Sequence, residues 1–334
     1  MTRLPGVPGS TKFMDRLREL DAVKPFDAVS GTVGDLVKRY CNSPEFTQLT
    51  PGTKRQYNVR FGRLQPYSKI STQAITSKIV YDIRDKLNEK HSRSAANNTV
   101  AMLRILFDWA IKRNIVDGPN PAEKVDTIRR PKNAPVVNRP WRDEEIEIVM
   151  AEAPDWLKVA IAIAVYTGLR ESDVANVTWA SYDGTAFETR TMKTGAPVWI
   201  PAHPKLRAIL NRAPRSSLNI VVGVRGRSMR GELLGSRFFQ FMRVMRDTGR
   251  LPAGLTFHGF RHTLGTRLAE AGCDNSTIAL VLGHSTPRMT ERYTKTADRK
   301  RLAKAAFERL EAEQDGHENG KPKPGKPENR KLIC

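Results

Sequence analysis

Apolar residues recur three and four positions apart along much of the chain, the spacing of helices that bury one face. In "TVGDLVKRYC" the stripe is Val33, Leu36, Val37 and Tyr40. "TPGTKRQYNVRFGRL" opens on the cap-like pair Thr50-Pro51 and interleaves Lys54, Arg55, Arg60 and Arg63 with Tyr57, Val59 and Phe61. "TSKIVYDIRDKLNE" and "NNTVAMLRILFDWAIKRN" bring the first region to about four helices. The last of these takes Asn97 or Asn98 as its expected cap and buries Leu103, Leu106, Phe107, Ala110 and Ile111. Asp117 to Pro140 contains five prolines and no sustained period, the signature of a linker.

Beyond the linker the pattern is mixed. "DEEIEIVMAEA" and "WLKVAIAIAVYTG" are helical. "NVTWASYDGTAFETRTMKTGAPVWIPA" alternates in short runs broken by Asp-Gly and Thr-Gly, which predicts a small antiparallel sheet. Helices resume at "HPKLRAILNRA", "LLGSRFFQFMRVMRD", "TFHGFRHTLGTRLAEAG", "NSTIALVLG" and "DRKRLAKAAFERLEAEQ". The expected architecture is mainly α with a small antiparallel β-sheet in the C-terminal domain. Its parts are an N-terminal extension (1–29), a helical domain (30–125), a linker (126–140), a mixed domain (141–314) and a disordered basic tail (315–334). Within the extension, "LPGVPGS" reads as loop and "FMDRLREL" as a short helix.

Charge narrows the class of partner. The chain carries 56 Lys+Arg against 35 Asp+Glu, a formal +21. The excess is not confined to a tail: residues 24–130 hold 19 basic and 10 acidic side chains, and residues 139–314 hold 27 and 19. Two basic folded regions point to a polyanion, nucleic acid above all. Cys41, Cys273 and Cys334 fit neither a zinc spacing nor a disulfide framework, which places the protein in a reducing cytosol. No apolar run reaches membrane-span length, and "MTRLPGVPGS" lacks the apolar stretch of a signal peptide.

Three segments carry candidate chemistry. In "TFHGFRHTLGT", His258, Arg261 and His262 share one face of a helix's first turn. A zinc helix would need the glutamate of H-E-x-x-H, but Gly259 follows His258, and Arg261 disfavours a second cation. Guanidinium, imidazole and helix N-terminus together suit an anion, with His262 the better candidate for a structural hydrogen bonder. In "YTGLRESD", Arg170 follows a glycine turn, and Asp173 either orients it or is a helix-start acid. In "LGHSTPRMTERYT", His284 follows Leu282-Gly283, and Tyr293 stands in a charged run that favours an exposed nucleophile over a core residue.

In this order the pieces R, HxxR, H and Y resemble the tyrosine recombinases, the family of bacteriophage and mobile-element integrases. The likeness is strongest over residues 140–300, and residues 30–125 are similar in size and character to the family's core-binding domain. The resemblance implies a two-domain DNA clamp, with Arg129, Arg130 and Lys132 of the linker following the backbone. It implies that Arg170 and Arg261 grip the scissile phosphate, that His258 and His284 complete its hydrogen-bonding shell, and that Tyr293 is the nucleophile. Asp173 would support them. Lys193, on the predicted turn in "TRTMKTGAPVWIP", would be the acid that protonates the leaving 5′-oxygen, with Lys205 the next candidate. Many integrases begin with an arm-site domain, and the residues ahead of Thr32 are too few for one.

The chemistry so implied needs neither metal nor cofactor. Cationic donors aimed at the non-bridging oxygens stabilise the pentavalent transition state, and loss of one such donor typically costs about 2.7–4 kcal/mol. The expected partners are duplex DNA bearing a specific recombination site, a homotetramer on two duplexes, and accessory DNA-bending or directionality proteins, with no membrane. The expected place of action is the cytoplasm, at the nucleoid or in a phage-infected cell. The stripe Leu302, Ala305, Ala306, Phe307 and Leu310 either docks on a neighbouring copy or packs on its own domain. Competing expectations are a type IB topoisomerase-like enzyme, a catalytically silent DNA-binding protein of the same fold, and a metal-dependent nuclease, which no cluster of acids supports.

Overall fold

A computed structural model describes residues 29–318, apart from 135, 224, 225, 230 and 285. The loop and short helix expected before residue 29 and the tail after 318 lie outside the described residues. The chain divides into two compact units, Met1–Ala134 and Pro135–Cys334.

The described part of the first unit is helical: α1 (Val33–Cys41), α2 (Pro44–Thr47), α3 (Pro51–Gly62), α4 (Ser77–Lys90) and α5 (Arg93–Ile111). Four of these begin on a hydroxyl that accepts a backbone N–H from the first turn. The pairs are Thr32 with Asp35, Thr50 with Thr53, Thr76 with Ile79 and Ser92 with Ala95. Neither Asn97 nor Asn98 caps α5, as the sequence led us to expect; the helix starts earlier, on Ser92. Asn97 is instead spent on the following segment, exchanging two hydrogen bonds with the backbone of Ile128, at 3.0 and 2.9 Å. The proline-rich stretch is therefore tied to α5 in its first part, where Ala122 and Val125 are also buried. Val100, Leu103, Phe107 and Ala110 form the buried spine of α5.

In the second unit the helices are α6 (Asp143–Glu152), α7 (Asp155–Thr167), α8 (Glu171–Asn176), α9 (Pro204–Leu210), α10 (Gly231–Asp247), α11 (Phe257–Glu270), α12 (Asn275–Leu282) and α13 (Glu291–Glu318). The hairpin of β1 (Ala186–Arg190) and β2 (Pro197–Pro201) is antiparallel, pairing Phe187 with Ile200 and Thr189 with Val198. Phe187, Val198 and Ile200 are buried while Glu188 and Trp199 face out, the alternation of a two-stranded sheet with one covered face. α7 is the core helix: Ala160 to Ala164 are fully buried in succession, so it is covered on every side.

Trp141 anchors the start of α11. Its ring stacks on Phe260 at 4.5 Å between centroids, its indole N–H donates to the Thr256 carbonyl at 2.9 Å, and its backbone N–H donates to Thr263 Oγ1 at 2.8 Å. Gly259 permits this approach, because a Cβ there would lie 2.8 Å from the indole nitrogen.

Two expectations about the C-terminal region need correction. The last helix begins at Glu291 rather than Asp298, so Tyr293 belongs to its first turn. It also continues to Glu318, into the stretch expected to be disordered tail, because "QDGHE" carries no proline to stop it.

Candidate active site

Two helix C-termini meet at the centre of the second unit. α7 ends on Gly168 and α12 on Gly283, both left-handed, with φ of 63° and 59°. Both glycines are also needed for space. A Cβ on Gly168 would sit 2.7 Å from Leu282, and one on Gly283 would sit 2.8 Å from Val198. The carbonyls at these ends carry partial negative charge, and they hold the two arginines singled out in the sequence. Arg261, only 2% exposed, donates to the Gly168 carbonyl at 2.9 Å and to that of Leu282. Arg170 donates to the Gly283 carbonyl at 3.4 Å. Its other terminal nitrogen is buried without a hydrogen-bond partner and lies 4.0 Å from Asp173. Burial, and then the neighbouring Arg170, pull the Arg261 guanidinium down to about 10.

Asp173 joins two parts of the site. One oxygen accepts the backbone N–H of Met192 at 2.7 Å, and the other faces Arg170. The first contact pins the turn between β1 and β2, where Lys193 is exposed. Lys193 is near enough for its charge to act on His258. Lys205 is exposed on the first turn of α9.

The imidazoles crowd the same cations. His258 and His262 meet edge to face at 4.8 Å. Desolvation and the surrounding arginines pull His258 and His284 down to about 4 and His262 to about 3. All three rings are therefore neutral near pH 7. His284 is half-buried, and its Nδ1 has no hydrogen-bond partner. An anion entering this site would meet an unspent donor at Arg170 and the unpartnered ring nitrogen of His284.

Tyr293 is not the exposed side chain that its charged sequence neighbours led us to expect. It is 4% exposed and packs in a small core with Ala269, Ile278 and Leu282. The reason is helical: Tyr293 turns onto α11, where its ring packs against Gly265, and Arg292 follows it there to reach its hydroxyl. Thr290 and Thr294 bind Asn275 and seat this turn on α12. Its hydroxyl lies 3.0 Å from His262 Nδ1 and accepts from Arg292 at 2.9 Å. Burial raises the phenol, an effect opposed by Arg292, Arg261 and Arg170.

The structure thus brings Arg170, Asp173, His258, Arg261, His284 and Tyr293 into one neighbourhood, with Lys193 at its edge. Sequence reasoning missed Gly265 and Arg292. A Cβ on Gly265 would lie 2.8 Å from the Tyr293 ring, so α11 needs glycine there. A glycine inside a helical pattern costs about 1 kcal/mol against alanine, which is itself a sign of close approach. Arg292 gave no signal, since arginine in a charged run reads as surface. Among the described residues, no group of three His, Cys, Asp or Glu side chains is placed to hold a metal ion. No helix among them is long and apolar enough to cross a membrane.

The cationic site lies on a mostly helical unit with a small hairpin, an arrangement shared with known proteins. Over residues 141–300 the chain matches the Phage integrase family. It is 25% identical over 301 residues to the tyrosine recombinase XerC of Chlamydia muridarum, covering 84% of this chain and 91% of that one. Its fold is similar to that of a lambda integrase (residues 75–356) dimer bound to a core site, with TM-score 0.66 and 20% identity over 79% of this chain and 95% of that one. A lambda integrase tetramer bound to a Holliday junction gives TM-score 0.65 and 19% identity, over 83% and 82% of the two chains.

Proposed function

We propose that the protein is a site-specific DNA recombinase that cuts and rejoins duplex DNA through a 3′-phosphotyrosyl ester, integrating or excising a mobile element. The observation that carries this reading is the convergence of two guanidiniums, neutral imidazoles and one tyrosine around the ends of α7 and α12. Tyr293 Oη attacks the phosphorus and its proton passes to His258. Charge gathering on the non-bridging oxygens is met by Arg170, Arg261 and the ring of His284. The P–O5′ bond breaks, and the departing 5′-oxygen takes a proton from Lys193. The ester conserves the bond energy, so another 5′-hydroxyl reverses the step without ATP, metal or cofactor.

Recombination joins two duplexes and therefore needs several protomers. The lambda integrase tetramer on a Holliday junction is an assembly of the required kind. The middle of α13 supports a similar role here, because Leu302, Phe307 and Leu310 are 67%, 66% and 52% exposed. Accessory DNA-bending or directionality proteins belong to the same proposal.

A nicked suicide substrate, run on a denaturing gel in the presence of EDTA, tests the reading. The parent should form a covalent protein–DNA adduct and Tyr293→Phe none, while both bind duplex DNA. Adduct undiminished in the variant would place the nucleophile elsewhere. Adduct formation without joining of two DNA molecules would favour a topoisomerase-like activity.

A further inference from the structure

The arginine next to the proposed nucleophile is the least expected member of the site. Arg292 places one terminal nitrogen 2.8 Å from His262 Nε2 and 2.9 Å from Tyr293 Oη. Its guanidinium also lies over the Tyr293 ring, 4.8 Å from the centroid. His262 Nδ1 closes the triangle at 3.0 Å from the same oxygen. A guanidinium has no acceptor, so the Nε2 that faces it must present its lone pair. A neutral imidazole then carries its hydrogen on Nδ1, and that hydrogen points at the tyrosine oxygen. The oxygen accepts two N–H donors, one of them charged. The phenol's own proton takes no part in either bond, so losing it breaks neither and strengthens both.

We infer that Arg292 and His262 are positioning residues that hold Tyr293 by its oxygen and stabilise it as phenolate, with Arg292 setting the tautomer of His262. This deepens the recombinase reading and rests on it. In this arrangement His262 is a donor to the nucleophile and not its base, which leaves proton acceptance to another group. Other charged or titratable groups face the same neighbourhood. α11 contributes His258 and Arg261, the turn before α8 contributes Arg170, and the segment after α11 contributes Cys273. His284 lies close enough to act on His262 when it is protonated, and Glu291 and Lys295 pair with each other on the outer side of α13.

The phenol can be observed without DNA. In an ultraviolet titration, the difference between the full-length parent and Tyr293→Phe isolates this one tyrosine. Arg292→Gln should move its ionisation upward by about one pH unit or more, and Arg292→Lys should move it less, since the charge is kept. Single-turnover adduct formation by Arg292→Gln should then be slowed about tenfold near neutral pH and regain rate as pH rises through the shifted ionisation. An unshifted titration in Arg292→Gln overturns the inference, whether or not the parent forms an adduct. A faster reaction in that variant also overturns it, because the contact would then restrain the nucleophile. Absence of adduct in the parent, with the titration shifted as expected, would count against the recombinase reading and leave the contact standing.

Discussion

Gly265→Ala should reverse sign according to whether Tyr293 is present. On an isolated helix the substitution stabilises by about 1 kcal/mol, because alanine loses less backbone freedom than glycine. On α11 the new methyl group would sit 2.8 Å from two carbons of the Tyr293 ring and 3.0 Å from a third. Ordinary contact between carbons lies near 3.5–4.0 Å, so the ring or the helix must yield by the better part of an ångström. Overpacking of this kind typically costs about 1–3 kcal/mol. Set against the helical gain, the parent should be unchanged or destabilised by up to about 2 kcal/mol. In a Tyr293→Ala background the ring is gone, and Gly265→Ala should stabilise by about 1 kcal/mol. The two differ by a coupling of about 1–3 kcal/mol, which a double-mutant cycle in urea measures directly. Displacing the ring also pulls its oxygen from His262 and Arg292, so adduct formation should fall even where stability holds. Equal stabilisation of about 1 kcal/mol in both backgrounds would refute the reasoning, since the ring could not then be seated on Gly265.

Two further outcomes follow from the site. Lys193→Ala should cleave a normal phosphodiester slowly but a 5′-bridging phosphorothiolate at nearly the parent rate, because a thiolate leaves without a proton. Equal impairment on both substrates would assign the acid elsewhere, with Lys205 next. The fold should also weaken in acid. His262 titrates near 6.5 when unfolded and at about 3 in the native protein. Between those values the unfolded chain binds more protons, so stability is full above pH 6.5 and declines as pH falls below it. At pH 5 this one ring accounts for about 2 kcal/mol, and His262→Gln should flatten the loss between pH 7 and pH 5. An unaltered acid limb in urea titrations would contradict the buried neutral imidazole.

The segments that seat the site were legible because their residues declare their own geometry. Gly168 and Gly283 fall where apolar periodicity stops, and a left-handed cap is what glycine permits there. The hairpin that bears Lys193 followed from alternation broken by Thr-Gly. His258, Arg261 and His262 shared a face by spacing alone. Where the sequence misled, a local rule competed with a partner distant in the chain. Asn97 has good capping chemistry, yet Ser92 caps the helix and Asn97 is used by Ile128. Tyr293 lies among charged neighbours, yet one helical turn hides it against Gly265.

What the sequence determined by itself is the kind of chemistry: two permanent cations, imidazoles and a phenol in a recognisable order, on a basic chain. Those are properties of side-chain type and spacing, which no fold is needed to state. The tertiary structure alone decided how those groups are held. It set Arg261 against the carbonyl ends of two helices, used Asp173 to tie the Lys193 turn to Arg170, and buried Tyr293 between His262 and Arg292. Each of these contacts joins separate elements or turns on packing, and periodicity within one segment reports which face is buried but not what lies against it.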